Sequence, residues 1–83
     1  MSNRMTSAPV QAGNLIVAAI ANSELGVCTV KRIREELGRN GFDLGDASLA
    51  ARFLIHEGMV YVVGNNEALG LTVAGRAAYE RAK

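Results

Sequence analysis

At 83 residues and a formal net charge of +1, the chain has room for one domain and carries no global charge that would select nucleic acid, membrane or acidic substrate. Hydrophobic residues make up 49% of it, which excludes a disordered polypeptide, yet there is no Trp and only two Tyr and two Phe. The core must therefore be thin, built from Ala, Val, Leu and Ile on closely approaching elements.

Residues 1–7 are polar and aperiodic and read as a flexible N-terminal tail, which leaves residues 8–83 for the domain. Ser7-Ala8-Pro9 suits a helix start, because proline costs little where backbone amides have no partner. From Val10 to about Asn22, Leu15, Ile16, Ala19 and Ile20 recur on one stripe at helical spacing. The run Leu15–Ala21 superficially resembles the apolar part of an export signal, but Gln11, Gly13 and Asn14 interrupt it upstream. It is read as an amphipathic core helix of a cytoplasmic protein. No stretch approaches the ~18 apolar residues of a membrane span.

Val27–Thr29 is short and β-prone, and the Thr29 hydroxyl can cap the helix that follows. Val30, Ile33 and Leu37 then repeat at helical intervals, with Lys31, Arg32, Arg34, Glu35 and Glu36 on the other faces and Gly38–Gly41 as the stop. Phe42-Asp43-Leu44-Gly45 reads as a tight turn with two apolar plugs. Asp46 opens a third helix that runs to Glu57, and Gly58 is its left-handed terminator. Met59–Val63 and Ala68–Leu71 read as strands of a hairpin turned by Gly64-Asn65-Asn66-Glu67. Thr72 caps a last helix, Val73 to about Ala82, in which Gly75 and the pair Ala77-Ala78 permit close packing. The expected fold class is α+β, mostly helical.

Two segments carry a resemblance. Phe53-Leu54-Ile55-His56-Glu57-Gly58-Met59-Val60 joins a helix to a strand through a glycine, and Leu71-Thr72-Val73-Ala74-Gly75-Arg76 joins a strand to a capped helix. Taken together across a hairpin, they resemble the winged helix-turn-helix domains of small bacterial regulators of the MarR or PadR type. The resemblance implies three helices, a β-hairpin wing and a C-terminal helix. It also implies a cytoplasmic, DNA-binding role in transcription regulation, with the helix at 46–57 in the major groove of double-stranded DNA and the wing on flanking backbone.

With Leu54 turned inward, the helical period places Ala47, Ala50 and Ala51 near the core and Ser48, Arg52 and His56 outside on successive turns. Arg52 has the planar fork that reads guanine O6 and N7, Ser48 can donate to a phosphate or a base, and His56 can approach a phosphate. Lys31 and Arg32, at the start of the second helix, can bind phosphates. Equally, they can pair along the helix with Glu35 and Glu36 on an ordinary solvated face. Asn65 and Asn66 can hydrogen-bond phosphates from the hairpin tip, although Glu67 beside them repels phosphate.

A protein-interaction module is the competing reading. A near-neutral chain with an uncharged tip suits it, and Leu49 and Ile55 lie toward the flanks of the third helix. A homodimer is expected in either case, because the first and last helices offer apolar faces beyond the needs of one thin domain. Catalysis has little to work with: Cys28 and His56 are the lone Cys and His, no phosphate-loop pattern occurs, and no catalytic residue, cofactor or metal is assigned.

Overall fold

The computed structural model describes residues 8–82, so the expected tail at 1–7, with Ser7 of the expected helix start, and Lys83 lie outside the described residues. The order is α1 (Ala8–Ala21), β1 (Val27–Thr29), α2 (Val30–Arg39), α3 (Leu44–His56), β2 (Val60–Val63), β3 (Ala68–Leu71) and α4 (Val73–Ala82). The fold is α+β, four helices around a three-stranded antiparallel sheet of order β1-β3-β2.

Each boundary has a local cause. Thr29 Oγ1 accepts from the Arg32 amide at 3.1 Å, satisfying one of the donors that a helix start leaves without a partner. Gly58 adopts φ 75°, a left-handed conformation in which a side chain would be strained, and turns the end of α3 directly into β2. At the hairpin, Gly64 at φ 68° and Asn66 at φ 61° supply the positive angles of the turn.

The start of α3 differs from the sequence expectation. The cap is Asp43, whose carboxylate accepts from the Asp46 amide at 2.8 Å, so the helix begins at Leu44 and Asp46 belongs to its first turn. Two acids three residues apart can each cap a helix, and the earlier one prevails. The chain has already reversed at Gly41 (φ 87°), and the Phe42 amide donates back to the Leu37 carbonyl at 3.0 Å. In consequence Phe42–Gly45 is not a free-standing turn. Phe42 packs against the core as a plug, whereas Leu44, the second expected plug, is 65% exposed.

The core lies between α1 and the other elements. Ile16, Ile20 and Leu37 are essentially fully buried, and Ile33, Leu54, Val60, Leu69, Cys28, Ala12 and Ala50 complete the cluster. Each large aliphatic contributes about 1.5–3 kcal/mol by burial. Leu15 and Ala19, expected on the same stripe of α1 as Ile16 and Ile20, are partly buried at its flank. No buried residue is polar or charged among those described.

The sheet ties distant segments together. Val27, Cys28 and Thr29 face Gly70, Leu69 and Ala68 on β3, while Val60–Val63 face Leu71–Ala68 on its other side. One sheet face, carrying Cys28, Val60 and Leu69, closes the core. On the other face Tyr61 lies over Gly70, where a Cβ would strike its ring. Beyond β3, Thr72 Oγ1 accepts from the Gly75 amide at 3.0 Å and donates toward the carbonyls of Gly58 (2.5 Å) and Met59 (3.1 Å). The Thr72 amide also donates to Met59 at 3.0 Å. This arrangement brings α4 so close to the α3–β2 junction that a Cβ on Gly75 would collide with the Met59 carbonyl. Of the two small residues expected to assist that packing, Ala78 is half-buried and Ala77 faces solvent.

Glycine therefore has opposite roles at two helical positions. Gly75→Ala is expected to cost about 1–3 kcal/mol through overpacking against rigid backbone. Gly38→Ala, at an exposed helical position with nothing within 4 Å of the added Cβ, should gain about 0.5–1 kcal/mol. Urea unfolding of both variants reads the difference. Equal midpoints would show that the Gly75 contact relaxes freely.

Candidate nucleic-acid interface

The helix α3 is inward-facing through Leu54 and Ala50, which are buried, with Ala47 and Ala51 partly so. Ser48, Arg52 and His56 are all exposed and follow one another at i+4. They form one polar outer strip, as the helical period requires. Its last member is compromised: His56 Nδ1 lies 3.6 Å from Glu57 Oε2, so a carboxylate competes with any phosphate for that ring.

Lys31 and Arg32 are exposed at the start of α2. The ion pair that forms on this helix is not one of those anticipated. Glu36 binds Arg39 at 3.3 Å, one turn nearer the C-terminal end, where a cation also meets the negative end of the helix dipole. Among the described residues neither Lys31 nor Arg32 is in an ion pair.

The tertiary structure brings the start of α2 to the hairpin turn. Thr29 is paired with Ala68, and the Val30 amide donates to the Glu67 carbonyl at 2.9 Å. The backbone just before Lys31 thus lies beside the end of the turn that carries Asn65 and Asn66, both exposed, whereas Arg32 lines a cleft with the end of α1 and with β1. The Glu67 side chain folds back over Gly64, with its carboxylate 3.2 Å from where a Gly64 Cβ would stand. The tip therefore has two amides and one acid. Ser48, Arg52 and His56 thus share one strip on α3; Asn65 and Asn66 stand on the hairpin turn, Lys31 follows the backbone contact to it, and Arg32 is set apart toward α1.

The apolar flank of α3 was only partly legible. Leu49 is 57% exposed and Ile55 40%, as their flank positions imply, but Phe53 is the most exposed of the three at 62%. A helical projection carries the signal, since Phe53 stands about 100° from both Arg52 and Leu54. Its place in a motif-like junction obscured it.

Among the described residues, no three or more His, Cys, Asp or Glu side chains cluster so as to hold a metal ion. None of the described helices is long and apolar enough to cross a membrane. No family model matches the chain, and neither a curated protein nor a solved structure matches it.

The position of α3 depends on Asp43. Asp43→Ala should lower stability by about 0.5–2 kcal/mol through loss of the cap. Asp46→Ala removes only a favourable charge in the first turn, worth about 0.3–1 kcal/mol. Chemical denaturation that ranks the two in the opposite order would place the cap at Asp46.

Proposed function

We propose that the chain is a winged helix-turn-helix domain that binds double-stranded DNA as a small, non-catalytic transcription regulator. In this reading α3 lies in the major groove and the hairpin touches flanking backbone. The observation that carries it is the exposed Ser48–Arg52–His56 strip on a helix held between a short turn from α2 and a hairpin. The pairing of β1 with β3 supports it, because it sets the first residue of α2, next to Lys31, beside the wing turn. Phosphate contacts from that side position a protein on the duplex, while base edges are read from α3.

Arg52 is the proposed base reader. Its guanidinium can donate two parallel hydrogen bonds to a guanine, which Ser48 and His56 cannot do. The polar tip with Glu67 contributes little, so affinity depends on few phosphate contacts. A net charge of +1 is in keeping with modest non-specific binding.

A second reading, a winged-helix protein-interaction module, is favoured by one observation: Leu49 and Phe53 are more than half exposed on the flank of the same helix. Retention on random duplex DNA across a salt series separates the two, because phosphate binding weakens steeply as salt rises and an apolar contact does not. The DNA reading requires retention at low salt and recovery of a preferred sequence by selection. Arg52→Ala should then cost about 1–3 kcal/mol and relax preference at one base pair. Lys31→Ala and Arg32→Ala should weaken all sequences alike and flatten the salt slope. A protein that shows no affinity for duplex DNA at low salt is not a DNA-binding domain.

A further inference from the structure

The strand β1 is an edge of the sheet, and its register against β3 fixes which of its backbone groups point outward. The Val30 amide donates to the Glu67 carbonyl, so bonded positions on this ladder alternate as Val30–Glu67 and Cys28–Leu69. Val27 and Thr29 then turn their amides and carbonyls away from β3. The Thr29 carbonyl is taken up by α2, for which Thr29 is the cap. The Val27 amide, the Val27 carbonyl and the Thr29 amide are left on the edge, and no described residue bonds them.

An open cleft of about 800 Å³ lies along this edge, between the end of α1 and the start of α2, and Val27, Cys28 and Thr29 all line it. Leu15, Ala18 and Ala19, each half-buried, give it an apolar wall. Asn22 and Ser23 spend their side-chain donors on the Ala18 and Ala19 carbonyls at 2.8 and 2.9 Å. The charged residues of the lining are Glu24, Arg32 and Glu36. Glu36 is paired with Arg39, whereas Glu24 and Arg32 are in no ion pair among the described residues. Glu24 precedes β1 and Arg32 follows it, so a free anion and a free cation bracket the edge.

We propose that this cleft binds an extended peptide segment of another protein, added to β1 as an antiparallel strand, acidic toward its N-terminal end and basic toward its C-terminal end. The backbone selects the occupant. Amides and carbonyls left open two residues apart match the repeat of a strand, and a helix or a small apolar molecule has no such groups to offer them. Both ladders of the sheet are antiparallel, the more stable pairing, and a strand added in that sense runs from the Thr29 end of β1 to the Val27 end. Its first residues then meet Arg32 and its last meet Glu24, which sets the order of charge. The opposite edge, β2, contributes no residue to this cleft or to the groove between α1, α3 and α4, so it lacks a comparable bed for the side chains of a bound strand. The proposal does not rest on the DNA reading, and its test contains no DNA.

The probe is the heptapeptide acetyl-Glu-Val-Thr-Val-Thr-Val-Lys-amide, titrated into the full chain while the backbone amides are followed by NMR. Binding should shift the amides of Val27, Thr29 and Arg32 and slow hydrogen exchange at Val27 and Thr29. With the fifth peptide residue opposite Val27, N-methylation there removes a hydrogen bond and should weaken binding roughly threefold to tenfold. N-methylation of the fourth residue, whose amide points away from β1, should leave binding unchanged. The same residues in reverse order should bind roughly threefold more weakly, and the double variant Glu24→Gln with Arg32→Gln, both at exposed positions, should bind the two orders alike. No shift at β1 with millimolar peptide would overturn the proposal. Equal effects of the two N-methylations, or equal binding of the two orders to the wild-type chain, would do so too. Shifts of the same amides on concentrating the chain alone would give the edge to a second copy instead.

Discussion

The carbonyl of Met59 is the point on which the architecture turns. It accepts the Thr72 amide at 3.0 Å, lies 3.1 Å from the Thr72 hydroxyl, and leaves no room for a side chain on Gly75. Each hydrogen bond is worth only about 1 kcal/mol net. Their geometric effect is larger than that figure suggests, because they join the residues just after α3 to the residues just before α4. With Gly58 fixing the direction in which the chain leaves α3, the hairpin is closed at its open end and α4 is pressed against the junction. The orientation of α3, and so of every side chain on its outer half, follows from that clasp.

Held in this way, α3 presents two different surfaces. The strip of Ser48, Arg52 and His56 faces outward, and the flank with Leu49 and Phe53 faces the groove between α1 and α4. A polar strip is compatible with water and gains from a ligand only through specific hydrogen bonds. An apolar flank gains from any cover that removes it from water. The strip and the flank draw on different physics and stand about 100° apart on the helix. Glu57 beside His56 and Glu67 at the hairpin tip set an acid next to each of those polar groups.

Much of the fold was readable because its signals are local. Thr29, Gly58 and Thr72 act on amides or dihedral angles within a few residues, and the strand at 68–71 and the helix at 73–82 were placed by them without error. Where two residues compete for one role, local reading fails. Asp43 and Asp46 can both cap a helix, and the reversal at Gly41 and the seating of Phe42 chose between them. Glu36 had basic candidates on either side, and it pairs with Arg39. The strip on α3 was legible from periodicity, whereas the weight of Phe53 was not, because exposure depends on what the neighbouring helices cover.

By itself, the sequence determined the element types, their order and the inward side of each helix, since hydrophobic spacing and capping chemistry are properties of the chain over one or two turns. The tertiary structure decided which distant segments meet. Only folding pairs Thr29 with Ala68, thereby setting the start of α2 against the hairpin turn, and only folding lays α1 and α4 beside Phe53 to form a groove. Such meetings depend on shape across the whole core, and shape at a distance leaves no periodic trace in the residues that will share it.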